Sequence, residues 1–223
     1  MIDNRRMQKW LIIAVLCFIA ATAQAYPRLE LTTNSLEPCV VDQPCSQRLQ
    51  ASGGTTPLTW RIVRGSLPPG LQLDPATGTI SGTAISAREY EVTIEVRDSS
   101  KPPQEDSRTF TSKSLPVLTL DWKAPPTLQD TTISGSVTVS NNGADVIDLT
   151  VIIVAVNEIG KAFALGYQHP NLPGKTTIQE IQFSSQLPAG NYTVRADAIA
   201  EIPAKNRIYR AAREAGPIQV PVQ

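Results

Sequence analysis

The sequence predicts an all-β protein of two tandem antiparallel sandwiches, and three observations carry that expectation. Eighteen Pro and thirteen Gly in 223 residues, with frequent Thr and Val, favour short strands and many turns over helices. Strict alternation of apolar and polar residues occurs in both halves, clearest over Glu89–Asp98 and Thr132–Val139. Clusters of Pro, Gly, Asn and Asp separate such runs throughout, as turns between strands require.

The N-terminus sets the compartment. Arg5, Arg6 and Lys9 precede an apolar stretch from Trp10 to Ala21, followed by Ala23-Gln24-Ala25. This is the pattern of a secretory signal peptide over residues 1–25, cut after Ala25. The apolar run is about half of the roughly 20 residues a spanning helix needs, so no stable membrane span is expected after cleavage. The expected location is the periplasm or the medium.

The remaining 198 residues hold 17 basic and 19 acidic side chains, since the leader carries three basic residues and one acidic. A balance near neutrality gives nucleic acid or an anionic membrane no concentrated positive surface to hold. That length accommodates two ordinary domains. Of the three cysteines, Cys39 and Cys45 lie beyond the leader. In an oxidising compartment they most simply form one local disulfide, a clip contributing about 2 kcal/mol on the chain-entropy model.

The first domain is expected over residues 26–116. In Glu89–Asp98, Tyr90, Val92, Ile94 and Val96 share one face and Glu91, Thr93, Glu95 and Arg97 the other. Leu58–Val63 is a second strand, with Leu58, Trp60 and Ile62 on a common buried face. Leu67–Leu71 and Asp74–Gly78 are turns that bracket a short strand at Gln72-Leu73. Lys101–Ser107 is a hairpin loop, so that Arg108–Leu115 returns antiparallel to Glu89–Asp98.

Gly53-Gly54, Leu58-Thr59-Trp60, Gly65–Leu71, Thr77–Thr83, Tyr90 and Asp98, in that order and spacing, resemble an immunoglobulin-like module of bacterial surface proteins. That module is related to the cadherin-like domain of dystroglycan. The resemblance covers roughly residues 29–115 and implies a cadherin-like or immunoglobulin-like Greek-key sandwich. It also implies calcium at domain junctions, for which Asp98, Asp106 and Asp121, with Glu105 nearby, are the candidate ligands. The sequence departs from the calcium pattern of cadherins, having neither the Asp-Arg-Glu block nor the Asp-x-Asn-Asp-Asn linker, and hard cations need several oxygens together. The simpler expectation is no cofactor.

The second domain is expected over residues 117–223, beginning with Val117–Lys123, where Leu118, Leu120 and Trp122 alternate. Thr132–Val139 points Ile133, Gly135, Val137 and Val139 inward, and Asn141-Asn142-Gly143 reads as a turn whose residues tolerate the left-handed region. Val151–Val156 is apolar at every position, which predicts a central strand covered on both faces. Ala162–Tyr167, Thr176–Phe183, Tyr192–Ala200 and Arg207–Ala212 follow, with Pro217–Val222 as a closing edge. Leu187–Val194 has the features of a tyrosine corner, and Ala87–Tyr90 offers a second. These features predict a fibronectin-like or immunoglobulin-like sandwich.

Chemistry is scarce. The only histidine, His169, stands in a loop of turn-forming residues, and no Gly-x-Ser-x-Gly elbow, His-Glu-x-x-His pair or Cys-x-x-Cys pair occurs. The chain is therefore expected to be non-catalytic. Tyr167 and His169 form the best candidate contact loop for a ligand. The expected function is adhesion or ligand binding toward a protein or glycan of the cell envelope. The alternatives are assembly by edge-strand pairing and calcium-dependent binding.

Overall fold

The computed structural model describes residues 27–222, so the leader expected over residues 1–25 lies outside the described residues. Regular structure is almost entirely strand, with one 3-10 turn at Pro203–Lys205. The first nine strands are β1 (Glu30–Leu31), β2 (Cys39–Val40), β3 (Pro44–Arg48), β4 (Ala51–Ser52), β5 (Thr59–Gly65), β6 (Leu71–Leu73), β7 (Thr79–Thr83), β8 (Glu89–Arg97) and β9 (Glu105–Leu115). They form a four-stranded sheet, β2-β9-β8-β5, a three-stranded sheet, β3-β7-β6, and the short pair β1-β4. Only β2 and β9 run parallel; the other pairs are antiparallel.

The alternation over Glu89–Asp98 translates directly into packing. Val92, Ile94 and Val96 are fully buried and meet Trp60, Leu71, Ile80 and Phe110 in one apolar cluster. Burying each large aliphatic side chain contributes about 1.5–3 kcal/mol. The hairpin into β9 forms as expected and starts three residues earlier, with Glu105 opposite Arg97. Gly78, at φ +69°, lies against the Trp60 indole, and a Cβ there would come within 2.6 Å of the ring. The Thr77–Thr83 segment thus turns where it does so that Trp60 can fill the core.

Ile62 corrects the expected face. It is 39% exposed, because β5 is the last strand of its sheet and a bulge interrupts its pairing with β8 between Ile62 and Arg64. Tyr90 also differs from the expected corner: its hydroxyl meets the side chain of Ser86 at 3.1 Å. Cys39 and Cys45 are joined as a disulfide, their Cα atoms 5.7 Å apart.

The remaining strands are β10 (Leu118–Gln129), β11 (Thr132–Asn141), β12 (Ile147–Asn157), β13 (Ala162–Gln168), β14 (Asn171–Leu172), β15 (Thr176–Gln186), β16 (Gly190–Ile202) and β17 (Arg207–Val220). A three-stranded sheet, β10-β11-β15, packs on a sheet ordered β13-β12-β16-β17, with β14 also paired to β12. The chain changes sheets between β11 and β12, between β14 and β15 and between β15 and β16. Leu120, Ile133, Val137 and Val139 from one sheet and Leu149, Ile153, Val194 and Ala198 from the other share a second cluster, separate from the first. Tyr192 is a tyrosine corner, its hydroxyl donating to the Pro188 carbonyl at 2.9 Å. The two closing segments expected at 207–212 and 217–222 are one strand, β17.

Two segments settle differently from their local reading, for tertiary reasons. The chain turns after Asn141 without any of Asn141–Gly143 adopting positive φ: β11 pairs with β10 and β15, and the chain crosses to the other sheet before β12 begins. Asn141 is instead a buried staple. Its amide donates to the carbonyls of Asp145, Leu172 and Pro173, and its oxygen accepts from Gly143 N–H. Val151–Val156 is central in its sheet, yet only one face is covered. Val151, Ile153 and Ala155 are buried, whereas Ile152 is exposed and Val154 and Val156 are half-buried.

The disulfide loop touches the second cluster's strands. Ala144 N–H donates to Gln43 Oε1 at 3.2 Å, and Arg207 Nη1 stands 3.3 Å from Asp42 Oδ2. Among the described residues no helix is long and apolar enough to cross a membrane.

Candidate binding face

β12 places alternate side chains on the outer face of its sheet, in the order Asp148, Thr150, Ile152, Val154, Val156. The register then sets their neighbours. Ile152 lies between Tyr167 of β13 and Asp197 of β16, Thr150 lies beside Ile199, and Ile199 faces Arg210 of β17. Glu201, opposite Asp148, has Ile208 on its other side. Tyr167 is 67% exposed, Ile208 58% and Ile152 37%. Apolar groups therefore stand in water across four strands, interleaved with Thr150, Asp197, Glu201 and Arg210. Exposed apolar surface of this kind is a usual mark of an interaction site.

Tyr167 lies in β13, which covers the strand expected over Ala162–Tyr167 and runs one residue further, and His169 comes just after its end. Being on a strand, Tyr167 has its Cβ position fixed by the ladder with Ile152. His169 is held on both sides. Its Nδ1 lies 2.8 Å from Thr150 Oγ1, and its Nε2 lies 3.1 Å from Asp148 Oδ1. That second contact is off the ring N–H direction, and Asp148 Oδ1 is a buried atom with no aligned donor. The ring thus sits beside the carboxylate as an ion pair when protonated, without a directed hydrogen bond when neutral. The order carboxylate, imidazole, hydroxyl is that of an acyl-transfer triad, but such chemistry also needs N–H donors converging on a developing oxyanion. β12 spends its amides on ladders with strands on both sides. What the arrangement does is fix a polar ring next to Tyr167 and Ile152.

Sequence reading missed Asp148, Thr150, Ile152, Ile199 and Ile208. A signal was present in the surplus of apolar residues in Val151–Val156. It was read as burial on two faces, whereas of the surplus Ile152 is exposed and Val154 and Val156 are half-buried.

The three carboxylates considered for calcium are not brought together, and no group of three or more His, Cys, Asp or Glu suited to a metal is found among the described residues. Asp98 is buried and organises loops. Its Oδ2 accepts from Thr55 N–H at 2.9 Å, and its Oδ1 accepts from Ser100 Oγ at 2.7 Å, Gln104 N–H at 2.7 Å and Ser100 N–H at 3.2 Å. Desolvation raises its pKa, but these donors together outweigh it and bring the value down to about 2. Asp106 accepts from Leu31 N–H at 2.7 Å and so ties β1 to β9. Asp121 pairs with Arg213 at 2.6 Å, linking β10 to β17.

The segment carrying Trp60, Gly78 and Asp98 is the part of the chain that matches a known family model. Residues 31–115 match the family model described as a putative Ig domain. The matched stretch contains the disulfide and the first cluster apart from Leu29, and ends before β10 begins. Among solved structures, the extracellular cadherin domains 1–4 of protocadherin gamma B7 are similar at 11% identity and a TM-score of 0.37, over 85% of this chain and 49% of that one. Human CDH23 EC21-23 is similar at 14% identity and a TM-score of 0.33, over 84% and 63%. A Bacteroides fragilis protein titled a putative alpha-galactosidase is similar at 20% identity and a TM-score of 0.34, over 42% and 19%. The chain spans about a fifth of the length of the last and half of the first. No curated protein matches the sequence.

Proposed function

We propose that this is an exported, non-catalytic interaction protein whose outer β13-β12-β16-β17 face receives a protein or glycan of the bacterial cell envelope. The observation that carries the reading is the Tyr167–Ile152 pair, exposed on rigid strands beside a held His169. An aromatic ring and an aliphatic side chain fixed in one plane lose little entropy on contact, which favours affinity. Export is supported by the leader pattern over residues 1–25 and by the Cys39–Cys45 disulfide, which persists in oxidising compartments. Residues 26–116 and 117–223 act as two modules, consistent with two separate apolar clusters. Calcium is not required in this reading, since the oxygens of Asp98 and Asp106 already face N–H or O–H donors.

The test is capture of envelope proteins and glycans by the chain beginning at Tyr26, compared with Tyr167→Ala and Ile152→Asp. Both positions are exposed, so melting should be unchanged while a specifically retained component is lost. Equal retention by the variants would remove the face from consideration. Turnover of a glycan or peptide substrate that depends on His169 would overturn the non-catalytic reading.

A further inference from the structure

β5 ends its sheet, and β6 ends the opposite one, so the Ig domain is open along the seam between them. At one end of it Trp60 N–H leaves the β8 ladder and donates across the seam to Pro75 O at 2.9 Å; just past the other end of β5, Ser66 N–H donates back to Glu91 O of β8 at 3.3 Å. In an antiparallel ladder, residues two apart direct their backbone groups to the same side. With Trp60 turned away from β8, the N–H and C=O of Ile62 are turned away as well, toward the open stretch. Beside them lies a groove of about 550 Å³, lined by Trp60, Ile62, Leu67, Pro69, Leu71 and Leu73. Ile62 is 39% exposed there, and Val63, next along β5, is 44% exposed.

β5 carries two arginines beside the groove. Arg61 is paired with Glu95 at 2.7 Å, while Arg64 has no ion pair among the described residues. A bulge and arginines on an edge are devices by which a sheet discourages pairing with its own kind. Two copies of β5 would bring Arg61 and Arg64 of each against those of the other. An acidic strand meets no such repulsion.

We propose that the open edge of β5 at Ile62–Arg64 is a strand-addition site for an extended segment of another protein. That segment places one apolar side chain in the groove and carries acidic residues on either side of it. Backbone pairing with Ile62 gives affinity, and the groove with Arg64 gives selectivity. This site is distinct from the β12 face and does not depend on it.

The experiment is selection of short random displayed peptides against the chain from Tyr26, followed by anisotropy and amide chemical shifts with the enriched peptide. The expected consensus alternates acidic and apolar residues, and the shifts centre on Ile62 and Val63. Methylating the peptide's backbone nitrogens, which leaves the protein untouched, abolishes binding. Arg64→Glu weakens binding several-fold and leaves melting unchanged. The inference is overturned by absence of any enriched acidic peptide, by indifference to N-methylation, by shifts that centre elsewhere, or by a concentration-dependent dimer through β5 in light scattering.

Discussion

The two apolar clusters should melt separately, and Ile94→Ala tests this directly. Ile94 is fully buried between Val92 and Val96 in the first cluster. Removing an isoleucine side chain from such a site costs about 2–5 kcal/mol, as lost transfer energy and a residual cavity. In a module of this size each kcal/mol moves the midpoint by about 4–8 °C, so the first transition should fall by roughly 10 °C or more. The second should stay, because little couples it to the first. The Arg207–Asp42 pair is half exposed and worth about 1 kcal/mol at most, and the Gln43–Ala144 hydrogen bond adds about 1 kcal/mol. Asn142 Nδ2 also donates to the Pro116 carbonyl, and such contacts together are small beside the roughly 5–15 kcal/mol that holds a domain folded. Trp60 and Trp122 are the only tryptophans after the leader, one in each cluster, so fluorescence of Trp122→Phe and Trp60→Phe chains reports each transition alone. If Ile94→Ala lowered the Trp122 transition as much as the Trp60 transition, the reasoning that separates the clusters would be wrong.

Three further outcomes are expected. Cys45→Ser should cost about 2 kcal/mol, confined to the first transition, and intact protein should gain no mass on alkylation without reductant. The Asp98 carboxyl, held at about 2 against an ordinary value near 3.9, stabilises the fold fully above about pH 4. That contribution is lost as pH falls toward 2, so Asp98→Asn should weaken the acid dependence of the first transition; an unchanged acid limb would refute its role. Tyr192→Phe should remove about 1 kcal/mol from the second transition alone, and a shift of the Trp60 signal would contradict this.

The sequence was most legible where structure is local. Alternation at Glu89–Asp98 and Thr132–Val139 specified which side chains enter the core, and the hairpin from β8 to β9 followed from a polar Pro-bearing loop between two such runs. The Tyr192 corner was legible because its partner, Pro188, is only four residues away. Ile62 and Ile152 were misread because period two says which side chains share a face, not whether another layer covers that face. Coverage depends on where the opposite sheet ends. The same limit hid the β12 face, whose neighbours Tyr167, Ile199 and Ile208 come from three other strands.

The sequence alone therefore determined the strand class, the buried face of most strands, the hairpin of the first half and the corner of the second. Only the tertiary structure decided that Asn141 staples a sheet crossing, that Asp98 holds loops through N–H donors, and that Tyr167 stands beside Ile152. The physical reason is distance along the chain. Backbone alternation and turn chemistry act between residues a few positions apart, whereas exposure and side-chain partnership are settled by elements tens of residues away, once the sheets have packed.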